Sequence, residues 1–342
     1  MIKTDARLGG NVTLECLMRK CLPVFSIVLA TAALIALSGC DSSSLETNTA
    51  AARATAPAAK EFSGQVDVGG GRKIYLHCKG SGNPTVILES GFHDSSDTWN
   101  VTDTQPPVPK SPAVFPGVAT FTRVCEYDRP GTIRYTKPPT LTARSTPVTG
   151  PRSLASMVSD LNKLLTAAKV PGPYLLVGHS FGGMVTRLYA QIHPKQTAGL
   201  VFVDAFGTNM KPFFGRDWTS YVELLNHPGT ALDTERGFET IDVDGAIEAV
   251  TRAQPMPEVP LAVLSKTKPF ALPPGSPKSL LTSLERAWPK AQQTLVELEP
   301  QTPHLLATGS DHYVQIRDPD LTISAIRLVV GRVNSGTRPT RS

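Results

Sequence analysis

A serine stands at the centre of a short glycine-flanked pattern. Residues 178–182 read Gly-His-Ser-Phe-Gly, which fits Gly-x-Ser-x-Gly. Such a pattern is weak alone, but an apolar run, residues 174–177, leads straight into it, and a helical pattern follows from Gly183. This context predicts a strained strand-to-helix turn that exposes Ser180 as a nucleophile. The alternative is a glycine-rich turn that only packs a helix on a strand.

A serine hydroxyl is a poor nucleophile until a base takes its proton, and histidine is the usual base. Of the seven histidines, His312 follows the last predicted strand and precedes a helix. A loop at the carboxyl end of a parallel strand reaches the edge of the sheet at which Ser180 is expected. We therefore predict that His312 is the base. His304, at the start of the same strand, is the alternative, and His179 is expected to point away from Ser180.

The elements that must position these side chains alternate between strands and helices, which predicts a mostly parallel sheet covered on both faces. An opening hairpin adds an antiparallel strand. The predicted strands are residues 62–68, 73–79, 85–89, 119–127, 174–177, 200–203, 261–264 and 305–307, and the predicted helices are 154–168, 184–192 and 321–330.

Two stretches interrupt this alternation. Residues 102–117 are rich in proline and are interpreted as an inserted surface loop. Residues 206–257 are too long for a simple connection and carry clustered aromatic side chains, among them Phe213, Trp218 and Tyr221. They are interpreted either as a cap over the site or as a peripheral subdomain.

The composition is that of a globular protein with a sizeable core. The chain has 342 residues, 40% of them hydrophobic and 18% charged, and a net charge of +5. That length allows one large domain or two ordinary ones. No basic run or basic-aromatic stripe is present, which argues against nucleic acid as a partner. No Cys/His cluster has the spacing of zinc ligands, so we expect neither a metal nor another cofactor.

The first forty residues carry the features of an export signal. Arg19 and Lys20 precede an apolar run, residues 22–37, which is short for a membrane-spanning helix but suits a signal peptide. The run ends in Leu-Ser-Gly-Cys, which resembles the lipobox of bacterial lipoproteins, and this resemblance implies that Cys40 is acylated. The alternatives are a plain signal peptide and an uncleaved anchor. Met18 is a second candidate for the true start.

These patterns divide the chain into four parts. We predict a signal peptide in residues 1–39, a flexible tether in 40–60, a folded domain in 61–333 and a disordered tail in 334–342. The resemblance to lipoproteins implies a location in the bacterial cell envelope. There the lipid on Cys40 would hold the protein to a membrane.

From about residue 62 to 333 the chain resembles the α/β-hydrolases. The matching segments are Leu-Glu-Ser-Gly-Phe at 88–92, Tyr-Asp-Arg at 127–129, Gly-His-Ser-Phe-Gly-Gly at 178–183, Leu-Val-Phe-Val-Asp at 200–204 and His-Tyr-Val-Gln at 312–315. The resemblance implies an α/β fold with an eight-stranded sheet in which strand 2 is antiparallel. It also implies an oxyanion hole made by two backbone N–H groups, those of Phe92 and Phe181.

The acid that orients the histidine departs from the commonest pattern of these enzymes, which places it after strand 7. Here that strand is followed by Ser-Lys-Thr-Lys-Pro, without a carboxylate. Asp204, at the end of strand 6, is the predicted substitute, although a purely structural role is an alternative. Asp311 is expected to point elsewhere. The other candidate acids are Glu258, Asp233, Glu235, Asp242 and Asp244.

Two cysteines remain after the predicted cleavage and acylation. The strand order that the resemblance implies makes strands 2 and 4 neighbours, and these strands carry Cys78 and Cys125. An exported protein folds where disulfides form, so we predict a bond between them. The alternative is a pair of buried free thiols.

Together these features predict a serine hydrolase that cleaves carboxylic esters or related small acyl substrates through an acyl-enzyme on Ser180. One alternative is a non-catalytic ligand-binding protein on the same fold. Amide or peptide hydrolysis and cofactor-free haloperoxidase chemistry are the alternatives among enzymes.

Overall fold

The computed structural model describes residues 61–104, 111–272 and 275–337. The predicted signal peptide and tether, including Cys40, lie outside the described residues, as do the last five residues of the predicted tail. Within the described ranges, no helix combines the length and the apolar character needed to cross a membrane.

Eight strands form the main sheet, in the order β1-β2-β4-β3-β5-β6-β7-β8. Strand β2 runs antiparallel to both of its neighbours, and the remaining pairs are parallel. This architecture confirms the predicted fold class. The strands are β1 (Phe62–Gly69), β2 (Arg72–Lys79), β3 (Thr85–Glu89), β4 (Val124–Tyr127), β5 (Tyr174–His179), β6 (Thr197–Val203), β7 (Leu261–Lys266) and β8 (His304–Ala307).

Helices cover both faces of the sheet. Side chains of a strand alternate between the two faces, and here both faces carry apolar side chains that must be covered. In β3, Ile87 joins the apolar core of one face, whereas Val86 and Leu88 join that of the other. The helices are α1 (Val114–Val118), α2 (Leu154–Ala167), α3 (Gly182–Ile192), α4 (Met210–Phe214), α5 (Trp218–Asn226), α6 (Val243–Arg252), α7 (Lys278–Val296), α8 (Val314–Arg317) and α9 (Pro319–Asn334).

Two predictions of local structure were wrong. The loop predicted for residues 102–117 contains helix α1, whose Val114 and Phe115 are buried against the sheet. The strand predicted from residue 119 begins only at Val124, because residues 119–123 form the turn between α1 and β4. Apolar residues on both sides of that turn had made it resemble one continuous strand.

The insertion at residues 206–257 serves two structural roles. Helix α6 packs on α2 and α3 and belongs to the helical layer of the sheet. Helix α5 instead contributes Tyr221, Leu224 and Leu225 to the wall of the cavity that contains Ser180. The insertion therefore both covers the sheet and shapes the cavity.

The structure contains a disulfide between Cys78 and Cys125. The two residues are directly paired partners in the antiparallel ladder of β2 and β4. Both side chains are buried. The bond therefore ties the opening hairpin to the rest of the sheet.

Candidate active site

Ser180 lies in the turn between β5 and α3 with a φ of +51°. Side chains other than glycine cannot fit two residues away on either side. A Cβ on Gly178 would lie 2.6 Å from the carbonyl oxygen of Gly182, and a Cβ on Gly182 would lie 2.6 Å from the carbonyl oxygen of Glu89. The two glycines thus permit the tight turn that presents Ser180 to the cavity.

His312 follows β8 and precedes α8, and it lines the same cavity as Ser180. Its ring packs edge-on against Trp288, with ring centroids 5.2 Å apart, and tilted against Phe270, at 4.8 Å. These aromatic contacts restrict the rotation of the imidazole. The structure therefore brings the predicted nucleophile and the predicted base to one site.

Asp204 is fully buried and holds the imidazole of His312. Its Oδ2 lies 2.6 Å from His312 Nδ1. Its Oδ1 accepts hydrogen bonds from the Lys266 backbone N–H at 3.0 Å and from Trp288 Nε1 at 2.9 Å. An acceptor on Nδ1 favours the tautomer with its proton there, which leaves Nε2 free to take a proton from a nucleophile.

The other candidate acids serve elsewhere. Asp311 accepts from the backbone N–H of Tyr313 and from Arg317, so it points away as expected. Asp242 caps helix α6, and Asp244 accepts from Trp218. Asp233 accepts from the backbone N–H of Gly229, whereas Glu235 and Glu258 are exposed. His304 bonds to Ser265 instead of the cavity groups.

The two predicted oxyanion donors flank Ser180. Phe181 is the residue that caps the amino terminus of helix α3, and Phe92 lies in the loop after β3, where a Cβ on Gly91 would come within 3.1 Å of Ser180 Cβ. Within the three described ranges, neither the Phe92 nor the Phe181 N–H donates to another protein group. Both N–H groups are thus without an acceptor among the described residues, as the predicted oxyanion hole requires.

A buried arginine holds the loop that carries Phe92. Arg129 uses its five N–H groups on two carboxylates and two carbonyl groups: Glu89, Glu239, Ser90 and Gly91. Glu239 in turn accepts from the backbone N–H of His93 at 3.0 Å. The backbone on both sides of Phe92 is therefore fixed by one cluster, which we call the Arg129 clamp.

The pKa values of the two carboxyl groups in the Arg129 clamp are shifted in opposite directions. Burial alone would raise the pKa of Glu239, but the pairing with Arg129 outweighs it and holds that pKa below its usual range. Burial instead dominates at Glu89 and raises its pKa, although Arg129 and Tyr127 both contact this carboxyl. Arg129 binds both oxygens of Glu239, which lies in the insertion, but only one oxygen of Glu89.

His179 is buried behind the cavity rather than directed at Ser180. Its Nε2 lies 3.0 Å from the backbone carbonyl of His312. Burial holds the pKa of the His179 imidazole well below its usual range, and the neighbouring His312 lowers it further. A neutral His179 thus supports the backbone of His312.

The cavity has a volume of about 220 Å³ and a mixed lining. Its apolar lining residues include Leu224 of helix α5, Leu272 and Leu284. Its lining also includes the polar side chains of Asp94 and Tyr313. A ligand of a few carbon atoms with one polar substituent suits this shape.

Sequence reasoning missed Trp288, Asp94 and the roles of Arg129 and Glu239. Helix α7 was absent from the predicted elements because Pro289 and many polar residues obscure its pattern. Buried residues nevertheless recur at Leu280, Leu284, Ala287, Ala291 and Leu295, which is a helical spacing. Residues 127–129 form one of the motifs of the sequence, but no sequence signal connects Arg129 with residue 239.

Comparisons with known proteins agree with the fold described above. Residues 81–325 match the profile of a family described as "Alpha/beta hydrolase family". The chain is 26% identical over 255 residues to the uncharacterized protein YqjL of Bacillus subtilis, which covers 73% of this chain and 85% of that protein. It is 31% identical over 150 residues to an uncharacterized protein of Schizosaccharomyces pombe, of which it spans only 26%.

Two solved structures share the fold. A putative lipase from Acinetobacter baumannii superposes with a TM-score of 0.51 at 16% identity, over 81% of this chain and 93% of that chain. A thermophilic esterase from Thermogutta terrifontis superposes with a TM-score of 0.50 at 17% identity, over 80% of this chain and 99% of that chain.

Proposed function

The chain belongs to the alpha/beta hydrolase family, and on that premise we propose that it is a serine hydrolase of carboxylic esters or related small acyl compounds. The observation that carries the proposal is the buried Asp204 bound to His312, whose ring lines one cavity with Ser180. Hydrolase activity is the expectation that the lipase and esterase among the structural neighbours also favour.

The proposed reaction uses the serine as a covalent nucleophile. His312 Nε2 takes the proton of the Ser180 hydroxyl as its oxygen attacks the carbonyl carbon. The N–H groups of Phe92 and Phe181 stabilise the oxyanion, and loss of one such donor typically costs about 3 kcal/mol of transition-state stabilisation. The histidine then protonates the leaving alcohol, and a water molecule that it activates releases the acid.

Covalent labelling tests the proposal. We expect a fluorophosphonate probe to label the wild-type protein on Ser180 and the Ser180→Ala variant to lose the label. Ser159→Ala, at an exposed position of α2, is the matched control and should label normally. A wild-type protein that binds small esters without labelling or turnover would instead be a ligand-binding protein. A panel of p-nitrophenyl esters of increasing chain length then measures the acyl preference.

We also propose that the protein is exported and anchored through a lipid on Cys40. The basic and apolar segments before Leu-Ser-Gly-Cys support this location, and a disulfide in the folded domain suits an oxidising compartment. Intact-mass spectrometry of the protein purified from bacterial membranes should give a chain that begins at acylated Cys40. An unmodified Cys40 in the mature chain would contradict the proposal.

A further inference from the structure

Asp94 places a second carboxylate in the cavity, and the proposed reaction does not use it. The residue is 6% exposed and lines the cavity with Ser180 and His312. Its Oδ1 accepts from the hydroxyl groups of Tyr135, at 2.7 Å, and Tyr313, at 3.4 Å. Its Oδ2 accepts a hydrogen bond from none of the described residues: His179 Nδ1 is 3.9 Å away and, in the neutral ring whose Nε2 donates to the His312 carbonyl, carries no proton. One oxygen is therefore held by the protein and the other is left for a ligand.

Among the described residues, no lysine or arginine forms an ion pair with this carboxylate, although burial raises its pKa and the charges of His312 and Arg129 lower it from a distance. Burial lowers the pKa of His93 to about 4 and holds that of His179 well below its usual range, so both rings are neutral near pH 7. The N–H groups of Arg129 are all used within the Arg129 clamp. A buried carboxylate with an unfilled acceptor is costly, and a ligand that donates a hydrogen bond reduces that cost.

The free oxygen lies close to the predicted nucleophile. A Cβ on Gly91 would lie 3.0 Å from Asp94 Oδ2 and 3.1 Å from Ser180 Cβ, so these two atoms are within about 6 Å of each other. A donor that reaches Oδ2 at about 2.8 Å is then about three or four bonds from a carbonyl carbon bound at Ser180. The rest of the cavity wall is mainly apolar and suits the hydrocarbon part of such a ligand.

We infer that Asp94 is a substrate-binding residue that selects esters with a hydroxyl or similar hydrogen-bond donor about three or four bonds from the scissile carbonyl carbon. The inference rests on the proposed function of Ser180. A site built to receive a donor discriminates against an analogue that lacks it, because the acceptor is then left unpaired. The donor lies on the acyl or the alcohol side of the ester bond, and the experiment covers both.

Two pairs of esters test the subsite, and each pair replaces a hydroxyl by a methyl group of similar size. Methyl 3-hydroxybutyrate is compared with methyl 3-methylbutyrate, and 2-hydroxypropyl acetate with isobutyl acetate, by pH-stat assay. We expect wild-type kcat/KM to favour the hydroxyl ester of at least one pair by roughly 10- to 100-fold. The ratio within a pair cancels any effect of Asp94 on the reactivity of His312.

Variants assign the preference to Asp94. We expect Asp94→Leu to abolish it and Asp94→Asn, which keeps an uncharged acceptor, to reduce it at least threefold. If Asp94→Leu fails to fold, Asp94→Asn decides alone. Asp97→Asn, a nearby carboxylate that contacts Arg134 and Arg144 outside the cavity, should keep the wild-type ratio. The inference is wrong if neither pair shows a preference, or if the preference survives both Asp94 substitutions.

Failure of the proposed function is distinguishable from failure of this inference. If the wild-type protein is labelled by the fluorophosphonate but shows no hydroxyl preference, the proposed function stands and only the subsite inference is wrong. If it neither labels nor hydrolyses esters, calorimetric titration with 3-hydroxybutyramide and 3-methylbutyramide tests the subsite without turnover. Tighter binding of the hydroxy amide that Asp94→Leu removes would support the subsite, and equal binding would overturn it.

Discussion

Three separate segments of the chain determine the geometry of Asp204. The backbone of residue 266, the indole of Trp288 and the imidazole of His312 all contact its carboxylate. Its own φ of +42° is unusual for a residue other than glycine. Such a conformation is retained where the surrounding contacts hold it, which fits a role at the site rather than in the core.

Replacing the acid tests that role. We expect Asp204→Asn to lower kcat by about 10⁴, because an asparagine amide no longer holds His312 in the required tautomer. Asp311→Asn, next to His312 in sequence but bound to Arg317, should keep near-normal turnover. Steady-state kinetics on a p-nitrophenyl ester measures both variants. Near-normal turnover of Asp204→Asn would mean that another group orients His312.

Asp94 should also make stability depend on pH. Burial raises the pKa of its carboxyl to about 6, above the value near 3.9 of an unfolded aspartate. The folded protein therefore binds this proton more tightly, and the charged form disfavours folding as pH rises through that interval. Relative to wild type, Asp94→Asn should gain about 1 kcal/mol of unfolding free energy between pH 5 and pH 8. Urea denaturation at both pH values measures it, and an unchanged difference would contradict the shift.

At the scale of elements, the Arg129 clamp joins the insertion to the loop that carries Phe92. Glu239 comes from the insertion, and its carboxylate links Arg129 to the backbone of His93. The ion pairs are fully buried, so their contribution to net stability is small compared with the cost of breaking them. We infer that Arg129 positions the loop that carries Phe92.

A lysine in place of Arg129 tests this positioning. Lysine lacks the planar fork, so it cannot bind Glu239 and the carbonyl groups of Ser90 and Gly91 together. We expect Arg129→Lys to lower kcat roughly tenfold or more with little change in KM, since the oxyanion forms only during reaction. Arg144→Lys, which loosens an ion pair with Asp128, controls for general destabilisation. Equal losses of kcat in the two variants would contradict a positioning role.

Local sequence patterns predict those elements whose signal is contained within the element. The strand before Ser180 and the glycines around it identify the turn, and alternating elements identify the sheet. The contacts that complete the site lie far apart along the chain: 84 residues separate Asp204 from Trp288, and 110 separate Arg129 from Glu239. A single sequence carries no signal for such pairs until the fold is known.

The described part of the domain contains one disulfide, which lies near the amino-terminal edge of the sheet. Removing the Cys78–Cys125 bond with a double alanine substitution should cost about 2–4 kcal/mol of unfolding free energy, since the bond closes a loop across a separation of 47 residues. Catalytic constants should change little because neither cysteine lines the cavity. Urea denaturation of the variant and of reduced wild-type protein measures the loss. Both thiols reacting with an alkylating agent in denatured, unreduced protein would contradict the bond.

The position of that bond also affects how the fold resists mechanical force. A pull on residue 61 acts first on β1, an edge strand whose Phe62 pairs with Cys78. Strand β1 would peel from β2 one pair at a time, and β2 would then be loaded from Arg72 towards Cys78. There the covalent link to β4 would stop the peeling before it reaches β3 and the turn that carries Ser180. We therefore expect tension on the amino terminus to unfold the hairpin and to leave the strands from β4 onwards intact.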